Sequence, residues 1–266
     1  MLKTCRNEFA RPLYALWRSS LDTGIIPTEL LLVLICPIHK GGRGSRVIPK
    51  NYRLVALTSH LIKVFERVLR EALVSHIERL GLLPDGQHGS RAMRSPLTQV
   101  LSYYWDSILE GLEDCEGVDS VNLEFSKAFD KVEAGVLLHK LRDGKVLGKV
   151  GRWLAAFLDS THSRGEDLRT FFCHQWGSLY GTVLGPVLFL LHISDIAQDV
   201  SETTNTDSYV DDTRVSRRIS DKQADYSAMQ GDLSIIYNWA SEVNMGFNSD
   251  KFECLRFWPL GQKPET

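Results

Sequence analysis

Ser208-Tyr209-Val210-Asp211-Asp212-Thr213-Arg214-Val215 places two adjacent carboxylates between two short apolar stretches. The pattern predicts a β-hairpin with the acids at its tip. Neighbouring carboxylates repel each other, and each loses hydration on burial. A divalent cation between them offsets both effects. The pair therefore points to Mg²⁺ and, through it, to phosphate chemistry. Taken alone, Asp-Asp is also an ordinary solvated turn, because Asp forms turns unaided.

A second acidic strand end lies far upstream. Val118-Asp119-Ser120-Val121-Asn122-Leu123-Glu124-Phe125 alternates apolar and polar residues as a half-buried strand does. A two-metal site needs acids from different strands converging on ions about 3.5–4 Å apart. Glu124, Asp211 and Asp212 are the candidates.

The segment that continues this strand, Leu123-Glu124-Phe125-Ser126-Lys127-Ala128-Phe129-Asp130-Lys131-Val132, resembles the first catalytic motif of non-LTR (LINE-type) retrotransposon reverse transcriptases. Pro37-Ile38-His39-Lys40, Asn51-Tyr52-Arg53 and Leu57-Thr58-Ser59 are similar to the family's fingers motifs. Gln87-His88-Gly89-Ser90-Arg91, with Ser95 and Thr98-Gln99 after it, is the next landmark. Gly181-Thr182-Val183-Leu184-Gly185-Pro186 resembles the motif that faces template and nucleotide. Asn244-Met245, Phe247-Asn248, Lys251 and Leu255-Arg256-Phe257 resemble the motif beyond the Asp pair. Several motifs in one order are far more specific than any one of them.

The resemblance implies an α+β fold of the right-hand polymerase kind, with an antiparallel palm sheet backed by helices. It implies fingers over residues 1–117 and palm over 118–266. The thumb and endonuclease of longer family members are absent from this chain, which reads as a piece of a larger polyprotein. Carried over residue by residue, Glu124, Asp211 and Asp212 are the catalytic acids. They and the Phe125 carbonyl would ligate two Mg²⁺ ions, with Mn²⁺ as a substitute. Phe129 corresponds to the aromatic gate under the sugar, or else is a core Phe. Lys40 and Arg53 correspond to residues that meet the triphosphate, and Tyr180 and Gly181 to the nucleotide-facing pair. Lys251 corresponds to a lysine that assists pyrophosphate departure; surface cations are the alternative for all three. Implied partners are an RNA template, a DNA primer and deoxynucleoside triphosphates, in a cytoplasmic or nuclear setting without a membrane.

The chain also departs from the family pattern. The first acid is Glu124 where Asp is usual, which moves the carboxylate by roughly 1.5 Å. Leu179-Tyr180-Gly181 stands for Pro-Gln-Gly, so no amide is presented at Tyr180. Leu54 follows Arg53 in place of Pro, and Ser90 follows Gly89 in place of Phe. Residues 162–180 lose the resemblance where a hairpin is expected, as a short frameshifted stretch would. Two readings follow: an RNA-directed DNA polymerase domain, or a remnant that keeps the fold as a nucleic-acid-binding module without catalysis. A metal-dependent nuclease would also gather acids, but the fingers motifs and the Phe129 position count against it.

Bulk properties are compatible with either. Net charge is −2, yet residues 37–100 hold eleven Lys or Arg against four Asp or Glu, leaving the rest acidic. A basic front and an acidic rear suit a polymerase. Gly41-Gly42-Arg43-Gly44-Ser45-Arg46 is either a phosphate grip or a plain surface loop. Five scattered cysteines indicate neither a zinc site nor a disulfide framework. The longest apolar run, 183–193, is too short to cross a bilayer, and no signal-peptide core follows Met1. Periodicity predicts helices over 2–21, 59–80, 95–112, 136–142, 150–158, 182–200 and 222–243. Strands are expected over 29–38, 118–125 and 252–257, besides the hairpin.

Overall fold

The computed structural model describes residues 4–42, 44–114, 116–162, 179, 181–259 and 261. In chain order its elements are α1 (Arg6–Thr23), α2 (Thr28–Leu31), β1 (Val33–His39), β2 (Tyr52–Thr58), α3 (His60–Arg79), α4 (Pro96–Ser102) and α5 (Glu110–Glu113). Then follow β3 (Gly117–Glu124), α6 (Ala134–Asp143), α7 (Gly148–His162), α8 (Gly185–His192), β4 (Thr204–Tyr209), β5 (Asp212–Ile219), α9 (Lys222–Glu242) and β6 (Glu253–Phe257). A π-helical segment, Tyr103–Leu109, joins α4 to α5. The architecture is α+β with antiparallel sheets, as the sequence predicts.

Local chemistry explains several boundaries. Pro12 lies within α1, which ends on Gly24 at φ 76°, a left-handed angle that glycine tolerates. Ser95 and Thr98 form a reciprocal capping box ahead of Pro96, so α4 starts there. The Asp221 carboxylate accepts from the Gln223 and Ala224 amides and opens α9. The helix expected over 182–200 stops at His192 and continues as turns to 199. The strand expected over 29–38 begins only at Val33, because Thr28–Leu31 forms a helical turn after Pro27. Strand β2 has no counterpart in the periodicity reading.

The chain forms two compact units, each built from two segments. The first comprises Met1–His76 and Ala134–Leu188, the second Ile77–Glu133 and Phe189–Thr266. The division expected at 117/118 falls inside the second unit.

In the first unit, β1 and β2 form an antiparallel hairpin, from Val33 opposite Thr58 to His39 opposite Tyr52. Its helical part is centred on aromatic packing. Trp17 stacks on Phe65 at 4.5 Å, Phe65 meets the edge of Trp153 at 5.2 Å, and Trp153 stacks on Phe157 at 5.3 Å. Trp153 Nε1 donates to Ser20 Oγ at 2.9 Å, and Ser20 Oγ donates to the Ile25 carbonyl at 2.7 Å. Both the apolar body and the polar tip of this tryptophan are therefore satisfied. Buried Glu66 accepts from the Val183 and Leu184 amides just ahead of α8, where a negative charge suits a helix N-terminus.

The second unit is a four-stranded antiparallel sheet in the order β4-β5-β3-β6. Alternation puts Val118, Ser120, Asn122 and Glu124 on one face of β3, and Asp119, Val121 and Leu123 on the other. The first face receives the π-helical segment, where Tyr103 and Ile108 pack on Val118. The second faces α9. There Asp232 of α9 accepts from Ser201 and Thr204, and Arg217 of β5 pairs with Asp225.

Replacing Trp153 with Ala removes two ring contacts and a buried hydrogen bond together. The expected loss of unfolding free energy is about 3–5 kcal/mol, read from urea unfolding of the two proteins.

Candidate functional site

The β4–β5 hairpin turns in two residues, Val210 and Asp211, between Tyr209 and Asp212. The expected position of the acid pair at the tip is met. Register then brings in the third acid: Glu124, the last residue of β3, is paired directly with Asp212, the first of β5. Directly paired residues project to the same face with Cβ atoms about 4.5–5.5 Å apart. Three carboxylates from positions 124, 211 and 212 thus converge at one end of the sheet.

Their electrostatics reflect that convergence. Burial pushes the Asp211 carboxyl above its ordinary value, and the charges of Asp212 and Glu124 push it further; Lys251 acts the other way. Such a group is stabilised in its ionised form by an added cation. The Lys251 ammonium makes an ion pair with Glu124 Oε1. The loop that carries Lys251 is pinned close by, since the Asn248 amide donates to the Glu124 carbonyl at 2.8 Å.

The donor chemistry fits a hard divalent ion, which prefers carboxylate oxygens. As they stand, no three His, Cys, Asp or Glu side chains among the described residues are gathered tightly enough to hold one. Glu124 is engaged by Lys251, so an ion would have to compete for that carboxylate.

Around the acids, Phe125 is buried and stacks on Phe247 at 4.7 Å. Phe129 is half-buried and stacks on Phe189 at 4.6 Å, a seat compatible with a gate or a core ring. Lys251 is a counter-ion of Glu124 in this arrangement. In the first unit, Arg53 faces Ile38 across the β1–β2 hairpin, and the Lys40 amide donates to the Asn51 carbonyl just beyond it. Lys40, just beyond the end of β1, and Arg53 on β2 are both exposed. Gly181 sits at φ 78° with no room for a side chain: a Cβ would lie 2.4 Å from the Ala56 carbonyl oxygen. Its glycine is demanded by this close approach to β2. Tyr180, Arg43 of the basic loop and the expected hairpin segment 163–178 lie outside the described residues.

Two features of the site escape a reading of the acids alone. Val210 holds φ 60°, an outlier for a β-branched residue that costs on the order of 1–3 kcal/mol. A loop from Pro84 to Gly89 lies against it. The Ser208 amide donates to the Gly86 carbonyl and the His88 amide to the Ser208 carbonyl, both at 2.8 Å. The Gln87 side chain, 2% exposed, bonds both polar groups of Val210: Oε1 accepts from the Val210 amide at 3.0 Å, and Nε2 donates to the Val210 carbonyl at 3.3 Å. The sequence signal was Gln87 bracketed by Gly86 and Gly89, whose added Cβ atoms would collide with Thr206 and Val210.

The second feature is Asp207, paired with Arg214 across the hairpin. The Arg214 guanidinium lies 4.8 Å from the Tyr103 ring centroid. Burial, with repulsion from Asp106, pushes the Asp207 carboxyl up to about 6 against the opposing pull of Arg214.

The chain's similarities to known proteins agree with one another. Residues 38–263 match the family described as reverse transcriptase (RNA-dependent DNA polymerase). A protein named probable RNA-directed DNA polymerase from transposon X-element of Drosophila melanogaster is 30% identical over 239 residues, covering 85% of this chain and 25% of that protein. The RNA-directed DNA polymerase from mobile element jockey of Drosophila funebris is 25% identical over 253 residues, covering 90% and 27%. The chain thus spans about a quarter of the length of these relatives. In fold it is similar to telomerase from Candida albicans in complex with a TWJ fragment of telomeric RNA (TM-score 0.54, 15% identity, 93% of this chain and 46% of that one). It is also similar to apo telomerase from Candida tropicalis truncated from its C-terminal domain (TM-score 0.56, 10% identity, 90% and 52%). Among the described residues no helix is long and apolar enough to cross a membrane.

A carboxyl held above its ordinary value makes the folded state bind more protons than the unfolded chain between the two values. Asp207 therefore stabilises the fold below about pH 4 and loses that contribution as pH rises through about 6. Urea midpoints measured across this window should fall with rising pH in the parent, and the fall should be shallower in Asp207→Asn.

Proposed function

Because this chain belongs to the reverse transcriptase family, and within it to the reverse transcriptases of non-LTR retrotransposons, we propose that it carries out RNA-directed DNA synthesis at the end of the β3–β5 sheet. The observation that carries this reading is the direct pairing of Glu124 with Asp212 beside Asp211. By motif order, residues 1–117 act as fingers and 118–266 as palm, a functional division that crosses the two compact units.

Asp211, Asp212 and Glu124, with the Phe125 carbonyl, would hold two Mg²⁺ ions, for which Mn²⁺ can substitute. Divalent ions held there would supply activation of a primer 3′-hydroxyl and neutralisation of charge on a departing pyrophosphate. The chain's own residues supply the rest. Burial first, and then repulsion from Asp212 and Glu124, raise the hold of Asp211 on a proton, and a bound cation would relieve the repulsive part of that shift. Lys251 pairs with Glu124 at the site and would offer its ammonium to a polyphosphate there. Lys40 and Arg53, both exposed, suit a triphosphate in the same way. Phe129, braced by Phe189, supplies a rigid ring against which a deoxyribose fits and a 2′-hydroxyl does not. Tyr180 and Gly181 retain their sequence-based assignment to the nucleotide. An RNA template, a DNA primer and deoxynucleoside triphosphates are the matching substrates, in an intracellular setting. RNA accompanies the Candida albicans telomerase as well. The reading of the chain as an inactive remnant draws no support from the relatives.

Glu124 is the weak point of this site, because an extra methylene displaces a carboxylate whose placement matters. The test is extension of oligo(dT) on poly(rA) with Mg²⁺ or Mn²⁺. The parent should incorporate dT and Asp211→Asn should not. Glu124→Asp should be faster by up to about 100-fold, the penalty typical of a misplacement near 1 Å. Equal incorporation by the parent and Asp211→Asn would refute the assignment of the acids.

A further inference from the structure

We infer that Gln87 is a positioning residue for polymerisation: its side-chain amide clamps the turn that presents Asp211 and Asp212. The inference rests on the proposed use of those acids. Val210 precedes them directly and sits at φ 60°, a conformation a β-branched residue keeps only when its surroundings impose it. The imposing group is Gln87. Its amide has one acceptor and one donor end, and both are spent on the two backbone groups of one residue. An apolar side chain of the same length fills the space but bonds neither group. A carboxylate of the same length can accept from the Val210 amide but meets the Val210 carbonyl with oxygen.

The clamp is itself held rigid. Gln87 Oε1 also accepts from the Gly89 amide at 2.8 Å, and the Gln87 amide donates to the Pro84 carbonyl at 3.1 Å. The flanking backbone pairs with Ser208 on either side of Gln87, through Gly86 and His88. His88 Nδ1 meets Thr98 Oγ1 at 3.0 Å, tying the loop to the capping box of α4. Gly86 and Gly89 let the loop approach this closely, since a Cβ at Gly86 would lie 2.0 Å from the Thr206 carbonyl oxygen and one at Gly89 2.5 Å from Val210. The turn therefore receives its geometry from a segment more than a hundred residues away in the chain. Among the described residues no hydrogen bond joins the Gln87 side chain to Asp211 or Asp212, so the influence of its amide on them runs through Val210.

The experiment compares the parent, Gln87→Met, Gln87→Glu and Met229→Ala, the last a buried residue of α9 outside the clamp. Amide hydrogen exchange at Val210 and Gly89 reads the clamp without any catalysis. Mn²⁺ affinity by electron paramagnetic resonance, and kcat and KM in primer extension, read its consequence; thermal unfolding checks folding. Gln87→Met should exchange both amides at least about tenfold faster, as expected when a buried hydrogen bond is lost. It should bind Mn²⁺ more weakly and lose kcat by about 10- to 100-fold with KM little changed. Gln87→Glu should recover the amide protection. Met229→Ala should leave exchange, Mn²⁺ affinity and kcat at parental values even where its melting temperature falls. Unchanged exchange in a folded Gln87→Met protein, or parental Mn²⁺ affinity and kcat despite faster exchange, overturns the inference. If the parent neither binds Mn²⁺ nor extends primers, the proposed function and this role fall together, and faster exchange in Gln87→Met then leaves Gln87 as a structural clamp only.

Discussion

The pairing of β3 with β5 is the constraint on which the site depends. Eight consecutive residues of each strand are in register, from Gly117 opposite Ile219 to Glu124 opposite Asp212. Because side chains alternate between faces, this register decides at once that Glu124 joins the hairpin acids, that Val118 packs under Tyr103 and that Leu123 turns to the α9 side. β3 is an inner strand, held by β6 on its other edge. The acid position is thus determined by hydrogen bonds on two sides as well as by apolar packing on both faces.

The repulsion stored among the acids is the counterpart of that order. Asp211 is pushed toward its neutral form by burial and by its neighbours, while Glu124 is partnered by Lys251. Lys251 balances the three carboxylates only in part. The fold thus holds the acid cluster in place through backbone pairing and the packing around it, since the acids themselves oppose it. Asp207, on the same hairpin, is raised separately by burial and by Asp106, with Arg214 as its counter-charge on the neighbouring strand.

Much of this was legible in the sequence for identifiable reasons. Period-two alternation located β3, and the Asp pair located the hairpin tip, because both signals are local. The long helices α3 and α9 followed from apolar spacing. What was missed depends on distant partners. β2 carries no alternation strong enough to announce a strand, and its identity comes from pairing with β1. The stop of α8 at His192 is invisible in an apolar run that continues to Ile193. The partnership of Lys251 with Glu124 joins residues 127 positions apart. Gln87 stood out in the sequence as part of a motif, but its bonds to Val210 exist only once the hairpin has formed.

The inner position of β3 also governs how this chain can change over generations. A substitution at Glu124 alters one side chain and keeps the register of the strand with β5. The gain or loss of one residue within β3 acts differently. It turns every side chain beyond that point to the opposite face, and it does so against β5 and β6 together. The length of this strand is therefore far less free to drift than its composition.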